Sequence, residues 1–156
     1  MNNEINPAIY VESIGLHLGD VDLVPLLTTL DISATQKLKR GEETVNVTKK
    51  TLGIEAIFRL ESALTVAART YPEGALVLSN LSFHGRARSG FAKYVGALPL
   101  GVEFGWSRKQ MQLKFGSPAW DDDDLGSARW DLSAHCLFAD FDHDSLVGFA
   151  IQLPLA

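Results

Sequence analysis

The chain has 156 residues, of which 46% are apolar and 21% charged, so it can bury one ordinary core and is not disordered as a whole. No apolar run approaches the ~20 residues that a membrane-spanning helix needs, and the first residues carry neither the basic nor the apolar region of a secretory signal. We therefore expect a cytoplasmic protein without membrane contact. Cys136 is the only cysteine, which excludes an internal disulfide and a cysteine-rich zinc site. The formal net charge of −5 argues against direct binding to nucleic acid.

Charge is distributed unevenly along the chain. Residues 1–31 have a net charge of −5, residues 32–119 have +7, and residues 120–156 have −7 because eight aspartates stand against Arg129 alone. Three interpretations are open: a solvated surface, internal pairing of the basic middle with the acidic ends, or an acidic surface for a basic partner. The basic stretch 37–50 lacks the interleaved aromatic residues of single-strand binders, so internal pairing is its preferred interpretation.

The first half of the chain predicts one short helix followed by strands. Leucines at helical spacing predict a helix over about 23–30, with Asp22 as its N-cap and Pro25 in its first turn. The other expected features are strands at 44–48, 53–60 and 75–83, a turn at 71–74 and either a loop or a frayed helix at 85–96.

The second half predicts a helix with its own start and stop signals. Ser107 and Gln110 form a capping-box pattern, and Gly116 followed by Pro118 ends the segment, so we predict a helix over 108–115. A turn is expected at 142–144, and a last strand over 146–153.

Strict alternation predicts a strand between that helix and the last turn. One face of the strand would carry the residues Trp130, Leu132, Ala134, Cys136 and Phe138. We expect this face to point into the core together with Leu113 and Phe115. Cys136 would then be a small buried hydrophobic residue rather than a nucleophile.

A short pattern occurs in both halves of the chain. The segments 15–19 and 101–105 each read glycine, apolar, polar, apolar, glycine, and each is followed by a predicted helix and then by strands. The spacing of about 86 residues indicates an internal duplication with units at about 13–84 and 98–154. We therefore predict one α+β domain over 1–156, made of two related units that each pack a short helix on an antiparallel sheet.

The second unit carries a resemblance to known families. Pro99 and Gly101 precede a Ser-Arg helix start, Gly116 and Pro118 follow the helix, and Trp130 begins the next strand. This arrangement over about 98–153 resembles small bacterial immunity proteins, and outer-membrane assembly lipoproteins of the BamE/SmpA type share its helix-then-strands order. The chain differs from the lipoproteins because its only cysteine lies deep in the sequence. The resemblance to immunity proteins implies neutralisation of a cognate toxin domain by binding, with no catalytic residues.

The sequence contains no motif for catalysis or cofactor binding. His135 and His143 lie among aspartates, so a carboxylate–histidine metal site is conceivable, but a solvated turn is the preferred interpretation. The run Asp121–Asp124 lacks the ligand spacing and the glycine of a calcium loop, and repulsion between its carboxylates favours an exposed loop. We expect no enzymatic activity, no cofactor and no bound metal.

These observations favour a binding protein. The first hypothesis is a cytoplasmic immunity protein that binds a basic toxin domain, of a kind that acts on nucleic acid, through an acidic surface. That surface would consist of Asp121, Asp122, Asp123, Asp124, Asp140, Asp142 and Asp144. The alternatives are a structural or assembly adaptor and a small-ligand binder with a pocket at the junction of the two units.

Overall fold

The computed structural model describes residues 5–66 and 69–154 and has an α+β fold. Three short helices accompany a seven-stranded antiparallel sheet: α1 (Ala8–Ser13), α2 (Val24–Leu30) and α3 (Arg108–Phe115). The strands are β1 (Thr44–Lys49), β2 (Ile54–Leu60), β3 (Leu76–His84), β4 (Trp120–Asp122), β5 (Ser127–Asp131), β6 (Cys136–Asp142) and β7 (Ser145–Gln152). The predicted α+β class is confirmed, and the helices form only a small part of the described chain.

The last strand in sequence lies in the middle of the sheet. The strand order is β1-β2-β3-β7-β6-β5-β4, and neighbouring strands are antiparallel. Two up-and-down runs, β1–β3 and β4–β7, therefore meet at the β3–β7 ladder, where Leu81 is paired with Ile151. The sheet is continuous across this ladder, and the duplication of two units stays a prediction.

The described helices cover the same face of the sheet. The Tyr10 ring of α1 meets the Phe83 ring of β3 edge-on, with 4.9 Å between ring centres. The Trp130 indole of β5 donates a hydrogen bond to the carbonyl of Gly116, at the end of α3, at 2.8 Å. The buried leucines of α2 belong to the same core cluster. Because successive side chains of a strand alternate between faces, the remaining strand residues point to the opposite side, which we call the open face.

Helices α2 and α3 lie where the sequence predicts them, but only α3 has its predicted cap. The Ser107 hydroxyl accepts a hydrogen bond from the Gln110 N–H at 3.2 Å, and the Gln110 side chain accepts one from the Ser107 N–H at 2.8 Å, which confirms the capping box of α3. A single 3₁₀ turn (Val21–Leu23) precedes α2, and Asp20 rather than the predicted Asp22 caps it. Helix α1 was not predicted, because its six residues carry no capping side chain and little periodicity.

The strand predicted through 130–138 is in fact two strands. β5 ends at Asp131, β6 begins at Cys136, and the connection is closed by a hydrogen bond from the Leu132 N–H to the His135 carbonyl at 2.8 Å. Cross-strand pairing then sets the faces of β6, and Trp130 is paired with Leu137. Cys136 and Phe138 therefore lie on the open face, and their predicted orientation toward the core beside Trp130 is wrong.

The predicted contribution of α3 to the core is also corrected. Met111 is the fully buried residue of this helix, while the Leu113 side chain is 79% exposed and Phe115 is half-buried. Two residues along an α-helix correspond to a rotation of about 200°, so a helix that buries Met111 turns Leu113 to solvent. The burial of Trp130 is as predicted, and Leu132 is half-buried against the core.

Cys136 is buried although it lies on the open face. Its exposed fraction is 1%, and its thiol donates a hydrogen bond to an Asp131 carboxylate oxygen at 3.2 Å. We expect a chromogenic aromatic disulfide reagent to label Cys136 only when the protein is unfolded. Labelling rates measured with and without urea test this expectation. Native labelling as fast as that of a small-molecule thiol would contradict this burial.

Two tyrosines in the core make the stability sensitive to alkaline pH. The Tyr10 and Tyr94 hydroxyls are 3.0 Å apart, and burial raises the pKa of both phenols. In the unfolded chain the same groups ionise near pH ~10. The unfolded chain therefore binds fewer protons than the fold above that pH, and the free energy of unfolding should fall as the pH rises beyond it.

The Tyr10→Phe variant tests this dependence. It should lower stability at neutral pH. Above pH ~10, however, its free energy of unfolding should fall less steeply than that of the original protein, and the two slopes should differ by up to about 1.4 kcal/mol per pH unit. Urea unfolding at several pH values measures both slopes. Equal slopes for the two proteins would show that Tyr10 ionises as readily in the fold as in the unfolded chain.

Candidate partner-binding surface

Arg108 organises the aspartates on the helix side of the sheet. It is the first residue of α3, and its backbone N–H donates a hydrogen bond to an Asp144 carboxylate oxygen at 3.0 Å. Its guanidinium group pairs with Asp121, lies 3.7 Å from an Asp123 oxygen, and is centred 4.8 Å from the Phe141 ring. A carboxylate at a helix N-terminus and a cation over an aromatic ring are both favourable arrangements. Asp121, Asp123 and Asp144 are thus gathered around one arginine.

A second group of aspartates lies on the open face. The Ser127 hydroxyl donates a hydrogen bond to an Asp140 oxygen at 2.8 Å, and the Leu125 N–H donates one to an Asp122 oxygen at 3.0 Å. Asp142 forms an ion pair with Arg86, which belongs to the loop after β3. Asp122 and Asp140 therefore receive hydrogen bonds from neutral donors, whereas Asp142 is paired with a cation.

The seven predicted aspartates lie near one edge of the sheet but do not form one surface. Asp121, Asp123 and Asp144 approach α3, and Asp122, Asp140 and Asp142 point to the opposite side. Asp124 is exposed in the β4–β5 turn, where the described residues give its side chain no partner. The exposed loop predicted at Asp121–Asp124 is wrong for its first two residues, which belong to β4; the last two lie in the β4–β5 turn as predicted. Pairing with β5 compensates for the repulsion between adjacent carboxylates.

Internal pairing neutralises only part of this charge. Of the basic residues in 32–119, Arg86 and Arg108 form ion pairs with these aspartates in the described part of the chain. Within 5–66 and 69–154 the stretch 37–50 forms no ion pair with either acidic end, and its one hydrogen bond to the N-terminal acidic segment runs from the Lys49 ammonium to the backbone carbonyl of Asp31. The C-terminal aspartates are out of its reach. The reason is topological: β1 and β4 are the two edges of a seven-stranded sheet, and strands about 4.8 Å apart place those edges roughly 29 Å from each other.

The histidines considered as metal ligands lie far apart. His135 comes directly before β6 and His143 directly after it, and a strand of this length separates them by about 25 Å. Burial lowers the pKa of His135, and His143 is almost fully exposed. No cluster of three or more metal-ligating side chains occurs among the described residues.

A cleft lies at the junction of the two halves of the sheet. It has a volume of about 310 Å³ and is lined by open-face residues of β2, β3 and β7 and by the segment that follows β2. Asn80 of β3 donates a hydrogen bond to the side chain of Gln152 of β7 at 2.9 Å in its floor. Its volume is at the lower end of the range for small-molecule sites.

Sequence reasoning missed both arginine partners of the aspartates. Arg86 and Arg108 are 56 and 13 residues from their respective partners Asp142 and Asp121. It also missed that Trp120 and Phe138 share the open face, since that follows from the pairing of β4, β5 and β6. The only signal available was the Ser-Arg helix start, which placed Arg108 at a helix N-terminus where acidic side chains are favoured.

In residues 5–66 and 69–154, no helix has the length and apolar character to cross a membrane. Comparison with known proteins found no matching family model, no matching curated protein and no matching solved structure.

Proposed function

We propose that this chain is a cytoplasmic immunity protein that binds and neutralises a cognate toxin domain, without catalysis of its own. The observation that carries the proposal is the incomplete neutralisation of the C-terminal aspartates. Asp123 is 89% exposed, Asp124 is exposed in the same turn, and Asp122 and Asp140 receive only neutral hydrogen-bond donors. Carboxylates that the fold leaves available attract a basic protein and accelerate its association.

The basic character of the partner follows from the sign of this charge. A toxin domain that acts on nucleic acid needs a cationic cleft for phosphates. An inhibitor with negative charge at one edge of its sheet would be guided to that cleft and would cover it. The same charge repels phosphate, so we propose no direct contact with nucleic acid.

The proposed internal duplication is supported by the backbone. The glycines of the two matched segments adopt positive φ in pairs, at 90° and 73° for Gly15 and Gly101 and at 100° and 95° for Gly19 and Gly105. Each segment also donates a hydrogen bond to the beginning of the last strand of its own half, from Leu18 to Leu76 and from Gly105 to Leu146. We propose that two related units, each a short helix against three or four strands, meet at the β3–β7 ladder.

A toxin domain encoded immediately beside this chain is the probe for the proposed function. Co-expression should restore growth, and the purified pair should form a stable complex. Absence of both complex and protection with that domain would overturn the proposal.

The role of the acidic turn is tested by Asp123→Asn together with Asp124→Asn. These changes should slow association about threefold at low salt and weaken its salt dependence, while stability changes little because both side chains are exposed. Glu42→Gln, an exposed acid near the opposite edge of the sheet, is the matched control. An association rate that Glu42→Gln lowers as much as the double variant would show that only net charge matters.

A further inference from the structure

A row of residues on the open face is unusually apolar at its β4 end. Strand register places Trp120, Arg129, Phe138, Ala150 and Ser82 side by side across β4, β5, β6, β7 and β3. Trp120 is 41% exposed, and Phe138, Ala150 and Ser82 are half-buried. None of α1, α2 and α3 lies on this side, and the loop after β3 covers part of it, where Phe91 stacks on His84 with 4.1 Å between ring centres. Trp120, at the β4 end of the row, is the exposed large apolar residue.

The residues of this row differ from those of an ordinary solvent-facing sheet surface. An antiparallel sheet with one covered face normally carries polar side chains on the other. Here two aromatic rings flank Arg129, and the residues beside Phe138 in the next two strands, Ala150 and Ser82, are small. Aromatic and arginine side chains are enriched among the residues that contribute most of the binding energy of a protein interface.

The flanking rows of the open face supply negative charge. Asp122 and Asp140 lie in the row on one side of the aromatic residues, and Asp131 lies on the other. Arg129 is paired with Asp131 at 3.0 Å, whereas Asp122 and Asp140 have no cationic partner among residues 5–66 and 69–154. The aromatic row is therefore bordered by two carboxylates that form no ion pair in the described part of the chain, and Arg86 and Arg88 line the same cleft as Asp140.

We propose that the open face of β4–β7 binds a basic polypeptide surface, with Trp120 and Phe138 as its apolar anchors and Asp122 and Asp140 as its anionic contacts. Lysine or arginine side chains of the partner would place their alkyl stems on the rings and their charged ends on the carboxylates. A nucleic acid is disfavoured by the carboxylates, and a second copy of this chain would bring like charges together. That the partner is a toxin domain rests on the proposed function above; the location and chemistry of the surface do not.

Variants on the two sides of the sheet separate this surface from the acidic turn. With the adjacent toxin domain as probe, Trp120→Ala should weaken binding by about 10- to 100-fold. The combined Asp122→Asn and Asp140→Asn variant should slow association and reduce its salt dependence. The matched controls on the helix side are Leu113→Ala, which removes an exposed apolar side chain, and Asp22→Asn, which removes an exposed carboxylate; neither should change the dissociation rate.

A synthetic peptide provides a probe that does not depend on the toxin. A ten-residue peptide of alternating arginine and leucine is titrated into the full chain, with amide and indole resonances followed by NMR. We expect shifts at Trp120, Phe138 and their neighbours, weaker shifts with the Asp122→Asn and Asp140→Asn variant, and none with a peptide carrying glutamine in place of arginine. The aspartate-to-asparagine changes are nearly isosteric, so they keep the test valid if Trp120→Ala folds poorly.

The outcomes distinguish the two proposals. If the toxin domain binds but only helix-side variants weaken it, the open-face assignment is wrong and the proposed function stands. If the toxin domain does not bind, the proposed function falls, and the peptide shifts alone decide: shifts on the open face support the surface, and shifts elsewhere refute it. Concentration-dependent dimerisation abolished by Trp120→Ala would identify a second copy as the occupant and overturn the basic partner.

Discussion

Replacing Trp130 with alanine should lower the free energy of unfolding by about 4 kcal/mol. The indole is 1% exposed, lies between α3 and the sheet, and donates a hydrogen bond to the Gly116 carbonyl at 2.8 Å. Alanine would leave a cavity and also remove the side-chain hydrogen bond to this carbonyl. Urea unfolding followed by far-UV circular dichroism measures the change without relying on tryptophan emission.

Two comparisons make this result specific. Trp130→Phe keeps most of the buried volume, so its smaller loss reports the hydrogen bond and the residual space. Trp120→Ala removes the same side chain from the exposed edge of the sheet and should cost less than about 1 kcal/mol. If the two alanine variants are equally stable, Trp130 is not a central core residue.

The Gly53→Ala variant should be destabilised by about 3 kcal/mol, although it adds one methyl group. A Cβ atom at this position would lie 2.4 Å from the Ala92 carbonyl oxygen and 2.7 Å from the Tyr94 nitrogen, and the residue has a φ of +74°. Both neighbours are backbone atoms, so relief requires the segment after β3 to move away from the β1–β2 turn. Thermal or urea unfolding measures the loss.

Gly74→Ala is the matched control for backbone strain alone. Gly74 has a φ of +78° with no atom within 4 Å of an added Cβ, so its variant should lose only about 1 kcal/mol. The difference between the two variants isolates the close approach at Gly53. Equal losses of stability in the two variants would show that the backbone at Ala92 and Tyr94 moves away from the added methyl group without a measurable loss of free energy.

The parts of the fold that the sequence predicts well are those fixed by neighbouring residues. The α3 capping box needs Ser107 and Gln110 alone, and the β6–β7 turn is where aspartate and histidine tolerate positive φ, at 50° for His143 and 57° for Asp144. By contrast, the turn between β5 and β6 contains neither glycine nor proline. The alternation from Trp130 to Phe138 therefore looked continuous, and one unmarked turn moved Cys136 and Phe138 to the other face.

The candidate site follows the same division. Counting aspartates identifies the edge of the sheet where negative charge collects, because β4 and the turns after it are close in sequence. Which face each carboxylate reaches depends on strand register, and which ones are neutralised depends on Arg86 and Arg108 arriving from distant elements. Strand register and these ion pairs both depend on residues far apart in the chain. The sequence therefore identifies the seven aspartates but does not assign each one to a face of the sheet or to a cationic partner.

The central position of β7 has a consequence for how the chain reaches its native state. Consecutive strands within each run are joined by 2 to 15 residues, whereas the β3–β7 ladder joins Asn80 to Gln152, 72 residues apart. Closing so long a loop costs more entropy than any hairpin and is compensated only once both halves exist. We therefore expect the pairing of β3 with β7 to be the slow step of folding. Until β7 docks on β3, the still-unpaired edges of both strands are available for mispairing between chains.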